Sequence, residues 1–138
     1  MEITTSTENR SVPITVMHIH GNIDSTTYES FTAYTKQLIQ SGAQYILLDL
    51  SNSPFISSAG LRTLHGIFKQ LSTLYPDPNF SESEIKQRIG QGVYKSPYLK
   101  LLNLSKETQT AFTLSGFDLF IETFTDKEQA LASFQARI

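Results

Sequence analysis

Hydrophobic positions gather along this chain in short continuous runs and in series spaced three or four apart. Tyr45-Ile46-Leu47-Leu48 is an unbroken apolar run of the length expected for a buried strand. The turn cluster Ser51-Asn52-Ser53-Pro54 ends it. Beyond the turn, Leu61, Leu64, Phe68, Leu71 and Tyr75 fall on one face of a predicted helix. Between turn and helix stand Ser57, Ser58, Ala59 and Gly60, small residues that let another molecule's backbone come close. A serine just before a helix also caps its free amides, and the helix dipole makes that end hospitable to negative charge.

The same patterns organise the remainder. Val12 to Ile19 reads as a strand, with Pro13 near its start where proline is tolerated, and Gly21-Asn22 breaks it. Thr26 followed by Glu29 forms a capping-box pattern for a helix that Gly42 stops, with Tyr28, Phe31, Leu38 and Ile39 on its apolar face. Pro76-Asp77-Pro78-Asn79 stops the helix ending near Tyr75 and opens a stretch of 76–97, within which Ser83 to Ile89 fits one short helix. A connection of that length is either a floppy surface insertion or a lobe that contacts a partner or another copy. Tyr98 to Leu104 reads as a strand, Ser105 caps a helix ending at Leu114-Ser115-Gly116, and Phe117 to Phe124 reads as a last strand. Asp126 and Gln129 open a final helix through Ala130, Leu131 and Phe134. The polar residues Met1 to Arg10 fit either a short edge strand or a frayed arm. Strands and helices alternating after an initial pair of strands predict an α/β fold: a mixed sheet of four to five strands with about four helices packed on it.

Composition narrows the function. A chain of 138 residues, 39% hydrophobic and 17% charged, suits a single domain with a real core. Its net charge of -2 and scattered Lys and Arg give no basic footprint, so nucleic acid is not an expected partner. Cysteine is absent, which removes disulfides, thiolate catalysis and cysteine-based zinc sites. The N-terminus has no signal-peptide pattern and no apolar stretch approaches the ~20 residues of a membrane span. The expectation is a soluble, cytoplasmic protein that neither enters nor docks on a membrane.

Enzymatic readings are weakly supported. His18 and His20 share a strand face, a spacing that begins a metal site but needs a third ligand; His65 is the remaining histidine. A hydrolase would use Ser57 or Ser58 as nucleophile, yet Ile56 stands where a nucleophile elbow needs its first glycine. Phosphate-binding glycine loops are absent. No catalytic residue, metal or cofactor is expected.

Phe55-Ile56-Ser57-Ser58-Ala59-Gly60-Leu61-Arg62 resembles the signature of STAS domains, especially those of bacterial anti-sigma factor antagonists. Gly21-Asn22-Ile23-Asp24 is similar to the element ending that family's second strand, and Leu114-Ser115-Gly116-Phe117 to the stop of its third helix. The resemblance implies a non-enzymatic switch covering 1–138, with 76–97 as a surface insertion. It places the phosphoacceptor at Ser58, with Ser57 as second choice, and the partner surface at Asn22, Asp24, Ser57, Ser58, Ala59, Gly60 and Arg62. Asp24 would accept a bond from the acceptor hydroxyl or help hold a partner's metal; the plainer reading is that it caps the next helix. The implied partners are an anti-sigma factor that is also a serine kinase and a PP2C-type phosphatase, with a homo-oligomer possible. Ser57 and Ala59 replace the acidic residue and the Ser or Thr of the best-known members, a variant associated with other STAS branches. The alternative implied is a scaffold or small-anion-sensing module that is never phosphorylated.

Overall fold

The apolar run at Tyr45 lies at the centre of one sheet. A computed structural model describes residues 1–136. Its five strands, β1 (Glu2–Asn9), β2 (Pro13–His20), β3 (Tyr45–Asn52), β4 (Leu99–Leu102) and β5 (Glu122–Phe124), stand side by side in chain order. β1 pairs antiparallel with β2, and each later strand pairs parallel with the one before it. Parallel neighbours need crossovers, which the helices supply: α1 (Tyr28–Gln40), α2 (Ser58–Leu74), α3 (Glu82–Gly90), α4 (Lys106–Leu114) and α5 (Lys127–Ser133). The fold is the expected α/β mixed sheet, with five helices among the described residues where about four were predicted.

Tyr45, Ile46, Leu47 and Leu48 are all buried, so both sheet faces are covered at β3. On the face of Tyr45 and Lys100 lies α5: the Phe134 ring meets Tyr45 edge-on at 6.2 Å, and Lys100 Nζ donates to Ser133 Oγ at 2.9 Å. Lys100 is only 4% exposed and its charge is met by Glu122 at 3.2 Å. Phe31 and Ile39 of α1, Leu64 and Leu71 of α2, and Phe112 of α4 join the same core.

Four local outcomes refine the sequence reading. Residues 2–9 form an edge strand rather than a frayed arm, because the Thr-rich segment finds a full antiparallel register on β2 from Glu2 opposite His20 to Asn9 opposite Pro13. The Thr26–Glu29 capping box does not form. Thr26 gives its amide and hydroxyl to Asp24 Oδ1 at 2.9 and 2.7 Å, and α1 begins after Thr27 instead. Phe117 to Phe124 is not one strand. Gly116, with φ of 79°, turns the chain into a 3-10 turn at Phe117–Leu119, and only Glu122–Phe124 pairs with β4. Phe117 and Phe120, three apart, thereby face one cluster with Phe68 and His65. Finally, the stretch after Tyr75 holds α3, opened by a capping box in which Ser81 and Glu84 exchange hydrogen bonds.

Candidate functional site

The small residues after the turn sit where three segments meet at the end of β3. Gly21 N donates to Asn52 O at 2.9 Å, Ile23 N to Phe55 O at 3.1 Å, and Ser57 N to Ile23 O at 2.8 Å. An isolated parallel bridge between Ile23 and Ile56 completes this lacing. Asn22 and Asp24 are therefore fixed beside the loop that carries Ser57 and Ser58. Ser105 Oγ donates to Pro54 O at 2.8 Å and ties the same loop to the start of α4.

The two serines have different surroundings. Ser57 is the N-cap of α2, with extended backbone and a side-chain oxygen that accepts from Gly60 N at 3.2 Å. Ser58 is the first helical residue; it is exposed, and its hydroxyl has no hydrogen-bond partner among the described residues. Gly60 is buried because the first turn of α2 rests directly on the bridge. A Cβ there would lie 2.7 Å from Ile56 Cγ2, 2.9 Å from Ile23 Cγ2 and 3.0 Å from Ile23 O. Ala59 is half-buried, and Arg62 projects, exposed, one turn beyond Ser58.

Asp24 serves the turn into α1. Its Oδ1 accepts from Thr26 and, at 3.3 Å, from Thr27 Oγ1, while its carbonyl accepts Tyr28 N at 2.9 Å. These bonds, the Thr26 hydroxyl first, hold its carboxyl below the usual value. Among the described residues Asp24 Oδ2 has no hydrogen-bond partner. Asp24 thus braces the turn before α1, whose N-cap is Thr27 with no side-chain cap bond, and among the described residues no hydrogen bond joins Asp24 to Ser58. The first turn of α2 contains no acid, so its dipole meets no negative side chain of its own helix.

Phe55 opens the motif. In the structure it is 48% exposed on the same loop, an apolar ring beside Ser58. An aromatic after a turn carries no sequence signal for exposure; the bridge at Ile56 decides it by turning the neighbouring side chain inward and Phe55 outward.

The other chemistry separates from this site. His18 Nδ1 lies 3.0 Å from Asp49 Oδ2, and its Nε2 lies 3.2 Å from Ser6 Oγ. Burial pushes the Asp49 carboxyl upward, but bonds from Ser51 and His18 outweigh it and hold the group below its usual value. Asn103 Nδ2 donates to Ser51 Oγ at 2.9 Å, so this polar chain ties β1, β2 and β3 to the residue that follows β4. Asp49 receives His18 and Ser51, His20 is exposed, and no group of metal-ligating side chains occurs among the described residues. No histidine is hydrogen-bonded to Ser57 or Ser58 among them. No described helix is long and apolar enough to cross a membrane.

The family model for the STAS domain matches residues 5–74, half of the chain, from β1 to the end of α2. A comparison with curated proteins gives no match. Among solved structures, the chain is similar to an anti-sigma factor antagonist from Mycobacterium paratuberculosis: TM-score 0.67, 17% identity, 96% of this chain and 94% of that one covered. It is also similar to the anti-sigma factor antagonist SpoIIAA in its unphosphorylated form, with TM-score 0.58, 17% identity and 94% of each chain covered. The phosphorylated form of the Bacillus cell fate determinant SpoIIAA gives TM-score 0.59 at 19% identity, covering 94% of this chain and 96% of that one. At such identities the likeness is one of fold.

Proposed function

The chain belongs to the STAS domain family, and from that premise we propose that it is an anti-sigma factor antagonist whose docking is switched off by phosphorylation of Ser58. Unmodified, the surface formed by Ser58, Ala59 and Gly60, flanked by Asn22, Asp24, Ser57 and Arg62, docks on an anti-sigma factor that is also a serine kinase. Docking occupies that partner and frees its sigma factor. The kinase then transfers the terminal phosphoryl group of a nucleoside triphosphate to Ser58 Oγ, whose proton leaves, and a PP2C-type phosphatase returns the serine by hydrolysis. The protein itself catalyses nothing in this cycle.

The observation that carries the reading is the division of labour between the two serines. Ser57 Oγ is engaged by Gly60 N, whereas Ser58 Oγ is exposed at the first position of a helix. Phosphorylation adds about -1.5 to -2 charges at neutral pH. The amides and dipole of the first turn of α2 stabilise that charge locally, so the fold need not change. In a docked interface the same charge meets desolvation and any partner acid, and the complex is lost. The Asp24 carboxylate, held ionised by its turn, adds to that negative field.

Binding of the purified chain to its partner kinase tests this. Ser58→Asp is expected to bind about tenfold or more weakly, while Ser58→Ala binds as the unmodified protein does and no longer responds to nucleotide. Equal affinity of the two variants would sink the switch. Two features favour a second reading, a scaffold or anion-sensing module using the same helix N-terminus. Ser57 and Ala59 stand where well-known antagonists carry an acid and a hydroxyl residue, and the first turn of α2 is free of acids. Under that reading Ser58 is never modified.

A further inference from the structure

Between the later turns of α2 and the helix α3 lies a cleft of about 440 Å³. Phe68 on α2 forms one wall, and Ile85 and Ile89 on α3 form the other. None of α3's residues is fully buried, so the apolar side of this helix remains half-uncovered over the cleft. Phe80 lines the cleft with them, and its ring is held in place. The Arg88 guanidinium lies 4.2 Å from the Phe80 centroid, and the Tyr94 ring meets it edge-on at 6.4 Å. A cavity of this size, apolar with a few polar groups, is the usual form of a small-molecule site.

The charges around it are unequal in their commitments. Asp77 is occupied, accepting from Asn79 N at 2.8 Å and from the Tyr94 hydroxyl at 3.4 Å. Glu82 pairs with Lys86 at 3.9 Å. Lys69 forms no ion pair among the described residues. Its positive field is felt inside the cleft: burial first, and then the Lys69 charge, hold the His65 imidazole below its ordinary value. An anion placed there would meet the Lys69 charge.

We infer that this cleft binds a small soluble molecule with a ring-sized apolar body and one acidic group. The body lies between Phe68, Phe80 and Ile85, and the acid lies against Lys69. The site uses the far turns of α2 and does not depend on Ser58 or its modification.

Two dyes test it: the anionic 1-anilinonaphthalene-8-sulfonate and the uncharged N-phenyl-1-naphthylamine, each titrated into the full chain by fluorescence. Both are expected to bind saturably, one per chain. Lys69→Gln is expected to weaken the sulfonate about tenfold and leave the neutral dye unchanged. Ile85→Asp, at a half-buried position on the cleft wall, is expected to weaken both by about tenfold or more. The bound sulfonate is also expected to raise the titration midpoint of His65 in proton NMR, while Ser58→Asp leaves the dye affinity unchanged. Absence of saturable binding would overturn the inference, as would binding insensitive to Ile85→Asp or an equal loss of both dyes in Lys69→Gln. So would a dimer in sedimentation whose formation expels the dye, which would assign the cleft to a second copy of the chain.

Discussion

At its first turn α2 meets Ile23 and Ile56 so closely that a methyl group on Gly60 would fall within 2.7 Å of a side-chain carbon. At its other end the same helix faces α3, which contributes no fully buried residue and leaves an open cleft. The first contact is fixed by backbone hydrogen bonds from Ile23 and Ser57 and by a bridge, and it positions an exposed hydroxyl. The second is fixed by ring contacts and a capping box, and it encloses space. A chemical switch needs one atom held in one place. An enclosed space needs only attached walls, and α3 supplies one without entering the sheet. The STAS family model ends at residue 74, so it covers the α2 wall of the cleft but not α3.

The largest expected effect breaks the tight end. Gly60→Val forces a branched side chain against Ile56, Ile23 and a backbone oxygen, and is expected to destabilise the fold by about 3 kcal/mol in denaturant unfolding. Its counterpart on the same helix has the opposite sign. Nothing lies within 4 Å of a Cβ at Gly66, so Gly66→Ala is expected to stabilise the protein by about 1 kcal/mol through helix propensity alone. Equal effects at the two glycines would erase the distinction between the two regions of the helix.

Smaller effects separate the two serines. Ser57→Ala removes the cap on Gly60 N and is expected to cost about 1 kcal/mol, whereas Ser58→Ala changes stability by less than about 0.5 kcal/mol. Thermal unfolding of both variants at one pH checks this. The smallest effect concerns acid. The Asp49 carboxyl lies below its ordinary 3.8 in the folded protein. It therefore contributes stability that is present above pH 3.8 and drains away as pH falls through the lower folded value. Asp49→Asn is expected to flatten that part of the stability–pH curve while leaving the neutral region less stable than in the unmodified chain.

The sequence was most readable where one local pattern and the tertiary fold agree. The Tyr45 run, the Ser105 cap and the three-to-four spacing from Leu61 to Leu71 all reappear as read. It was least readable where long-range partners decide. The Thr-rich β1 carries little hydrophobic signal, and only its register on β2 makes it a strand. Alternation from Phe117 to Ile121 imitates a strand, while the left-handed Gly116 and the burial of Phe117 and Phe120 in one aromatic cluster make it a turn. The Thr26–Glu29 pattern lost to Asp24, a stronger acceptor two residues earlier. The motif around Ser58 was legible as a loop opening a helix, but three of its properties were not. The occupation of Ser57, the exposure of Phe55 and the fixing of Asn22 and Asp24 beside the loop all depend on the pairing of Ile23 with Ile56. The His18–Asp49 contact likewise depends on the register of β2 on β3.

The central claim is that Ser58 is the residue at which another enzyme writes a charge. Peptide-resolved mass spectrometry of the protein isolated from its own cells, under several growth conditions, tests it most directly. The account predicts a phosphate on Ser58, with Ser57 unmodified because its hydroxyl is engaged as the cap of α2. Phosphate found only on Ser57, or none under any condition, would contradict it.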